Sequence, residues 1–379
     1  YPLYSRVLLP AYLKQKIPRE KLFLRTLDDF VRARIDMRPQ ETVARIYERQ
    51  REVELKNGAR LGYQKLLIAT GGRVRPWGKS EDGALTYRLQ TLDDADRLAH
   101  ALPAIKNPLV VGSSFISLEF LEIFLEHNIV PALMMREKHF FSAYLEETGG
   151  GLMRDHFERK RITVITEDEI AQIRRSVNGA EALTRAGKKI SCDAIAVGVG
   201  IERNKEFLDS FDIETADIET ADSAGTRGIR VNEFLQTNHE DVFSAGDVAE
   251  VYDPATHIHH ARGNWTNAFL QGQHAGLMML GQSFPFRAVP SYSITNLGFQ
   301  ITALGDCRDH TNTIVRIDPN RNQYERLFLR DHSVRGAFLI NRFQDKTHLV
   351  KLIETNAPLA PYRDQLRTFA FDIHAIPVV

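Results

Sequence analysis

The chain has 379 residues, 43% of them hydrophobic, with 49 basic against 49 acidic side chains and a formal net charge of zero. That length supplies two or three domains with real cores. The charge balance argues against nucleic acid or an anionic membrane as the main partner, and no apolar run is long enough to span a bilayer. Cys192 and Cys307 stand far apart and fit buried core thiols in a reducing, cytoplasmic setting better than a redox pair or metal ligands.

Thr26-Leu27-Asp28-Asp29 has the form of a capping box and predicts a short helix over about 26–33. Thr42–Tyr47 and Arg51–Leu55 alternate, Asn57-Gly58 is a hairpin turn, and Arg60–Ile68 returns as a strand. That strand ends in Ala69-Thr70-Gly71-Gly72, where glycine lets the backbone approach a ligand. Residues 73–88 read as a linker, and Thr91-Leu92-Asp93-Asp94 opens a second capped helix over about 91–102. The apolar strand Pro108–Val111 leads into Gly112-Ser113-Ser114-Phe115-Ile116-Ser117-Leu118-Glu119. A helix over 115–126 would point its positive end at a phosphate. The next strand, about 129–135, ends at Met135-Arg136-Glu137. Arg154–Arg161 reads as an exposed helix end, Ile162–Thr166 as a strand, and Ile190–Gly200 as one closing strand that contains Gly198.

Residues 212–221 repeat Asp-Ile-Glu-Thr-Ala twice, a surface loop expansion of low cost. Gly228–Val231 is a strand. Thr237–Asp247 reads as a turn and a short apolar strand ending in Ser-Ala-Gly-Asp, with Val248 and Ala249 beginning a helix or turn. An acid at the carboxyl end of a strand is well placed to hold a sugar hydroxyl. His257, His259 and His260 invite a zinc reading, but no cysteine or acid completes a set and no metal site is assigned. Asn264–Ala268, Gln271-Gly272 and Ala275-Gly276 fit one helix with small residues on a single side. From Phe286 onward, Ser291–Leu304, Asn312–Ile317, Tyr324–Leu329 and Val334–Asn341 are strand-like, and 344–355 and 361–370 are helical.

Ala69–Gly72 and Thr237–Asp247, in this order and spacing, resemble the two flavin-contacting stretches of the FAD-dependent pyridine nucleotide-disulfide oxidoreductases. The likeness is greatest to the rubredoxin reductase, ferredoxin reductase and nitrite-reductase flavin-domain branch. It implies an α/β fold of two Rossmann-like dinucleotide-binding domains, the FAD domain interrupted by the NAD(P) domain, plus an α+β C-terminal interface domain. The implied boundaries are 1–88 and 206–286 for FAD, 89–205 for NAD(P) and 287–379 for the interface domain, which often carries a homodimer contact. It also implies that a βαβ unit of about 30–40 residues precedes Tyr1.

The resemblance assigns Arg6, Val43, Ala69, Thr70, Gly71, Gly246, Asp247 and Trp265 to FAD, with Asp247 on the ribityl chain and Trp265 either against the ring or in the core. Gly112, Ser114, Phe115, Ile116, Glu119, Arg136 and Gly198 fall to NAD(P). The family's three-glycine turn keeps only Gly112; Ser114 and Ser117 replace the others, and a serine hydroxyl there is able to contact phosphate. Glu119 matches an acid near the nicotinamide, or else a solvated helix face. Arg136 without a preceding acid favours NADPH, whereas Glu137 would serve NADH, and the two stay level here. Gln90 stands where many members have a flavin-facing arginine, and Glu202-Arg203-Asn204 where they usually have Pro-Asn.

Ser5-Arg6 replaces the Ser-Cys pair that disulfide reductases carry beside the flavin. Hydride from NADH or NADPH would therefore pass to FAD and electrons would leave to a small redox protein or a small-molecule acceptor, with the flavin and no protein acid or base carrying the chemistry. The alternatives are an NADH oxidase or coenzyme A-disulfide reductase, the flavin subunit of a nitrite reductase, and a non-catalytic flavin-binding protein with a degenerate NAD(P) turn.

Overall fold

The computed structural model describes residues 1–78, 85–177, 179–208, 211–215, 228–253, 258–261 and 263–378. They form two compact units. One comprises residues 1–7, 19–75 and 200–288, and the other 8–18, 76–199 and 289–379. The second copy of the tandem repeat and His257 lie outside the described residues.

The first unit is built from small sheets. Val43–Tyr47, Glu52–Leu55 and Arg60–Gly62 form an antiparallel meander, and Ala59 N–H donates to the Asn57 side chain in the Asn-Gly turn. The single strand expected over 60–68 is in fact two. The chain breaks at Tyr63, whose N–H bonds the Arg51 carbonyl, and Leu66–Ile68 then pairs in parallel with Val242–Ser244. Ile229–Val231 pairs in parallel with Ala249–Asp253, which pairs antiparallel with Ile258–His260. The expected helix or turn at Val248-Ala249 is a 3-10 turn, Gly246–Val248, followed at once by a strand. Ile46, Ile68, Ile229, Val231, Val242, Val248 and Val251 fill this unit's core with Ala275 of the helix Trp265–Met279.

The second unit contains a five-stranded parallel sheet in the order Thr86–Tyr87, Ala194–Val197, Pro108–Val111, Ala132–Met134, Thr163–Ile165. All four residues of each of the two long central strands are buried, which explains why their sequences are continuously apolar rather than alternating. The helix Phe115–Glu126 buries Leu118, Phe120, Leu121, Ile123 and Phe124, and it ends at Asn128 with φ +61°, a left-handed stop. Both predicted capping boxes form, Thr26 with Asp29 and Thr91 with Asp94.

The closing strand expected over 190–200 divides at Asp193. The Asp193 carboxylate accepts the N–H groups of Lys106 and Asn107 at 2.8 and 2.9 Å, turning the chain from the antiparallel strand Lys189–Cys192 into the parallel strand Ala194–Val197. The strands Ile170–Ser176 and Gly179–Thr184 complete that antiparallel sheet and escaped the sequence reading.

The C-terminal part is a five-stranded antiparallel sheet covered by Lys346–Glu354. Its first expected strand is a hairpin, Ser291–Asn296 and Phe299–Gly305. The helix expected over 361–370 reduces to the 3-10 turns Ala360–Tyr362 and Gln365–Arg367. This tail is fixed by a buried charge. Arg316 and Glu325, both with no exposed side-chain area, lie 3.5 Å apart. The Arg316 guanidinium sits 4.5 Å from the Phe369 ring centre and donates to the Phe371 carbonyl.

Removing one partner strands the other charge in the interior. Arg316→Met is expected to lower stability by about 3 kcal/mol in urea unfolding, whereas the paired replacement Arg316→Met with Glu325→Leu recovers most of that loss.

Candidate functional site

The parallel pair Leu66–Ile68 and Val242–Ser244 ends in two turns side by side. Ala245 N–H and the Ser244 hydroxyl both donate to the Ile68 carbonyl, at 3.1 Å each, so Ala69-Thr70-Gly71 and Gly246-Asp247 leave neighbouring strand ends. Gly246 (φ +80°) faces the Ala268 methyl, and a side chain on Gly263 would press on the Asp247 carboxylate. Gly246 N–H donates to the Gln271 side chain at 2.7 Å. Gly71 takes φ +60° and faces open space.

Burial pushes the Asp247 carboxyl above its usual range, while Arg203 and Arg6 pull it back. The carboxylate oxygens of Asp247 meet no donor among the described residues. A largely buried acid left without a donor, flanked by glycines that keep the space in front of it clear, fits the hydroxylated chain of a flavin cofactor.

The sequence-assigned residues fall around this pair of turns in different ways. Arg6 opens the turn Arg6–Leu8 and is exposed. Trp265 begins its helix, 54% exposed and stacked on Phe269; it is not a core aromatic. The Thr70 hydroxyl donates to the Asn204 carbonyl, and Asn204 Nδ2 donates back to Thr70 O. Val43 sits at an irregularity in the meander, packed on the core of the first unit.

In the second unit, Gly112 takes φ +116°, and a Cβ there would overlap the Gly198 carbonyl. The Ser114 hydroxyl caps the following helix by accepting Ser117 N–H and donates to Gly198 O at 2.9 Å. The Ser117 hydroxyl also points to Gly198 O, at 3.5 Å. Both hydroxyls thus hold the turn to the neighbouring strand end. Phe115 packs among Phe141, Tyr144 and Tyr292, Ile116 is 37% exposed, and Arg136 is exposed beyond a buried Met135.

Glu119 does not lie on a solvated face. Its side chain is only 13% exposed, lies 3.8 Å from Lys14 Nζ and accepts Asn296 Nδ2 at 3.1 Å. Lys14 also pairs with Glu122, which accepts Leu297 N–H at 2.8 Å. One ammonium thus serves two carboxylates. Burial pushes Glu119 up to about 7, against the pull of Lys14 and with the repulsion of Glu122.

Residues 2–272 match the sequence pattern of the pyridine nucleotide-disulphide oxidoreductases. The chain belongs to that family. It is 24% identical over 370 residues to the epsilon subunit of NADH-dependent phenylglyoxylate dehydrogenase from Aromatoleum evansii, covering 96% of this chain and 85% of that protein. It is 21% identical over 357 residues to NADH-rubredoxin oxidoreductase from Clostridium acetobutylicum, covering 94% and 86%. Among solved structures, putidaredoxin reductase in its covalent complex with putidaredoxin aligns with a TM-score of 0.90 at 20% identity, over 99% of this chain and 89% of that one. A ferredoxin reductase from Rhodopseudomonas palustris aligns at 0.88, with 20% identity, over 100% and 91%. This oxidoreductase works with FAD and NAD(P)H as its cofactors. Among the described residues, no helix is long and apolar enough to cross a membrane.

The sequence reading placed Gln271 on its helix but missed its bond to Gly246. It also missed Gly263 and the role of Arg203 beside Asp247, and Lys14 and Asn296 beside Glu119. Arg203 alone carried a signal, a charged residue where the family usually has proline. The others are ordinary side chains until folding brings them to the site.

Gly112→Ala is expected to cost about 2–3 kcal/mol in unfolding experiments, from steric overlap and the left-handed backbone together, and to weaken NAD(P)H binding in a titration. Glu119 holds its proton more tightly folded than at its ordinary 4.5. Its stabilising effect is therefore complete below pH 4.5 and is lost as pH rises through about 7. Glu119→Gln should remove that slope, gaining on the order of 2 kcal/mol relative to wild type at pH 8, as read from melting curves across pH.

Proposed function

We propose that this protein takes a hydride from NADPH or NADH onto bound FAD and passes the electrons to a small redox protein of the rubredoxin or ferredoxin type. The observation that carries this reading is the adjacent pair of turns, Ala69–Gly71 and Gly246-Asp247, at the ends of two parallel strands. Bound FAD supplies the redox chemistry, accepting electrons in a pair and releasing them to an acceptor. The chain's own residues bind and orient. Asp247 holds the ribityl hydroxyls, Ala69–Gly71 brings backbone close to the cofactor, and the turn at Gly112 with the Phe115–Glu126 helix start takes the dinucleotide phosphates.

Relatives named for rubredoxin and for ferredoxin support the choice of acceptor. The disulfide-reducing alternative needs a reactive thiol. Both cysteines are buried, and burial pushes Cys192 up to about 11 and Cys307 higher still, so neither suits that role. At the ribose end, Arg136 is exposed with no acidic partner among the described residues, and no acid stands at Met135. That combination favours a 2′-phosphate, and hence NADPH over NADH. We further propose a cytoplasmic setting and a homodimer formed through residues 287–379.

Anaerobic stopped-flow mixing tests the reading. Wild-type protein purified with FAD should lose its flavin absorbance on mixing with NADPH and recover it when oxidised rubredoxin or ferredoxin is added. Protein that stays colourless, or yellow protein that neither nucleotide bleaches, overturns it. Asp247→Ala should raise the FAD dissociation constant at least about tenfold in a fluorescence titration.

A further inference from the structure

The Ile201–Arg203 strand pairs antiparallel with Gly72–Val74, placing Arg203 opposite Gly72. Arg203 is thereby anchored to the strand that directly follows the Ala69–Gly71 turn. Its side chain, 9% exposed, reaches the other turn. Nε donates to the backbone carbonyl of Asp247 at 2.8 Å. Nη1 lies 3.3 Å from Glu250 Oε1, and the same oxygen accepts Gly228 N–H at 2.9 Å.

The 3-10 turn Gly246–Val248 closes through Ala249 N–H onto the Gly246 carbonyl. The turn's own closing bond therefore does not use the Asp247 carbonyl, and the Arg203 guanidinium supplies its donor. One residue thus couples both flavin-facing turns, by its backbone to one and its side chain to the other, and the side chain is itself held by a carboxylate on the adjoining sheet. A buried guanidinium with a fixed fork of donors is suited to this, where a lysine offers a single mobile point charge.

We infer that Arg203 is a positioning residue for FAD, fixing the backbone of Asp247 so that its carboxylate is already aimed at the cofactor before binding. The inference rests on the FAD reading above and adds a residue to it. Preorganisation of this kind lowers the ordering cost of binding. A buried charge-assisted hydrogen bond is strong enough for its loss to be read as about a tenfold change in affinity.

The test is FAD titration of apoprotein by fluorescence, with melting curves of the same apoproteins. Arg203→Met should raise the FAD dissociation constant about tenfold or more, and Arg203→Lys should recover part of the loss. In an Asp247→Asn background, the effect of Arg203→Met should fall below about twofold, because the two residues act as one unit. Wild-type affinity in Arg203→Met overturns the inference, as does an equal loss with Asp247 present or replaced, which marks Arg203 as merely structural. Should Arg203→Met fail to fold, Arg203→Lys in both backgrounds decides the matter by the same comparison. Wild-type protein that binds no FAD at all refutes the proposed function instead, so the two failures are distinct.

Discussion

Two strands of three residues each, Leu66–Ile68 and Val242–Ser244, hold the turns Ala69–Gly71 and Gly246-Asp247 together across 176 positions of chain. Parallel pairing of segments so far apart carries a loop-closure cost before any contact rewards it. That cost is met by burial on both sides, with Ile68 and Val242 in the core of the first unit, and by the Ser244 hydroxyl, which donates to Ile68 O. Shift this register by one residue and every side chain of the pair changes face. Asp247 would then leave the strand end beside Gly71.

A second constraint recurs in both units: charge kept in the interior. Asp247 feels the charges of Arg203 and Arg6, and Glu119 shares one ammonium with Glu122. Each arrangement answers desolvation differently. At Asp247 burial outweighs the pull of the arginines, and the carboxyl stays above its usual range. At Glu119 the acids outnumber the lysine, and the raised carboxyl titrates near neutral pH. A group poised there responds to small changes in its surroundings. The pair Arg316–Glu325 belongs to a third type, where the charges anchor a tail.

The turn Gly112–Ser117 shows how a glycine-rich pattern tolerates change. Gly112 is kept because only glycine fits its φ and the Gly198 carbonyl. At the other two positions serine is small enough, and its hydroxyl finds an acceptor in the same carbonyl. Close helix–strand packing, which glycine ordinarily secures by having no side chain, is maintained here by hydrogen bonding.

Some of this was legible without coordinates. The capping boxes at Thr26 and Thr91, the Asn57-Gly58 turn, the helix 115–126 and the strand–turn motifs all depend on interactions within a few residues of chain, and local chemistry determines them. The breaks at Tyr63 and Asp193 depend on distant partners, the Arg51 carbonyl and the Lys106–Asn107 amides, so one apolar run looked like one strand. The helix expected over 361–370 gave way to a tail pinned by Arg316, a contact no local pattern announces. The capped helices, the main strand–turn units and the small residues at the two strand-end turns can be read from the chain alone, because backbone conformation and side-chain size are local properties. That Glu119 is shielded beside Lys14, that Ser114 and Ser117 face Gly198, and that Arg203 reaches Asp247 came with folding, because burial and charge pairing exist only once distant segments meet.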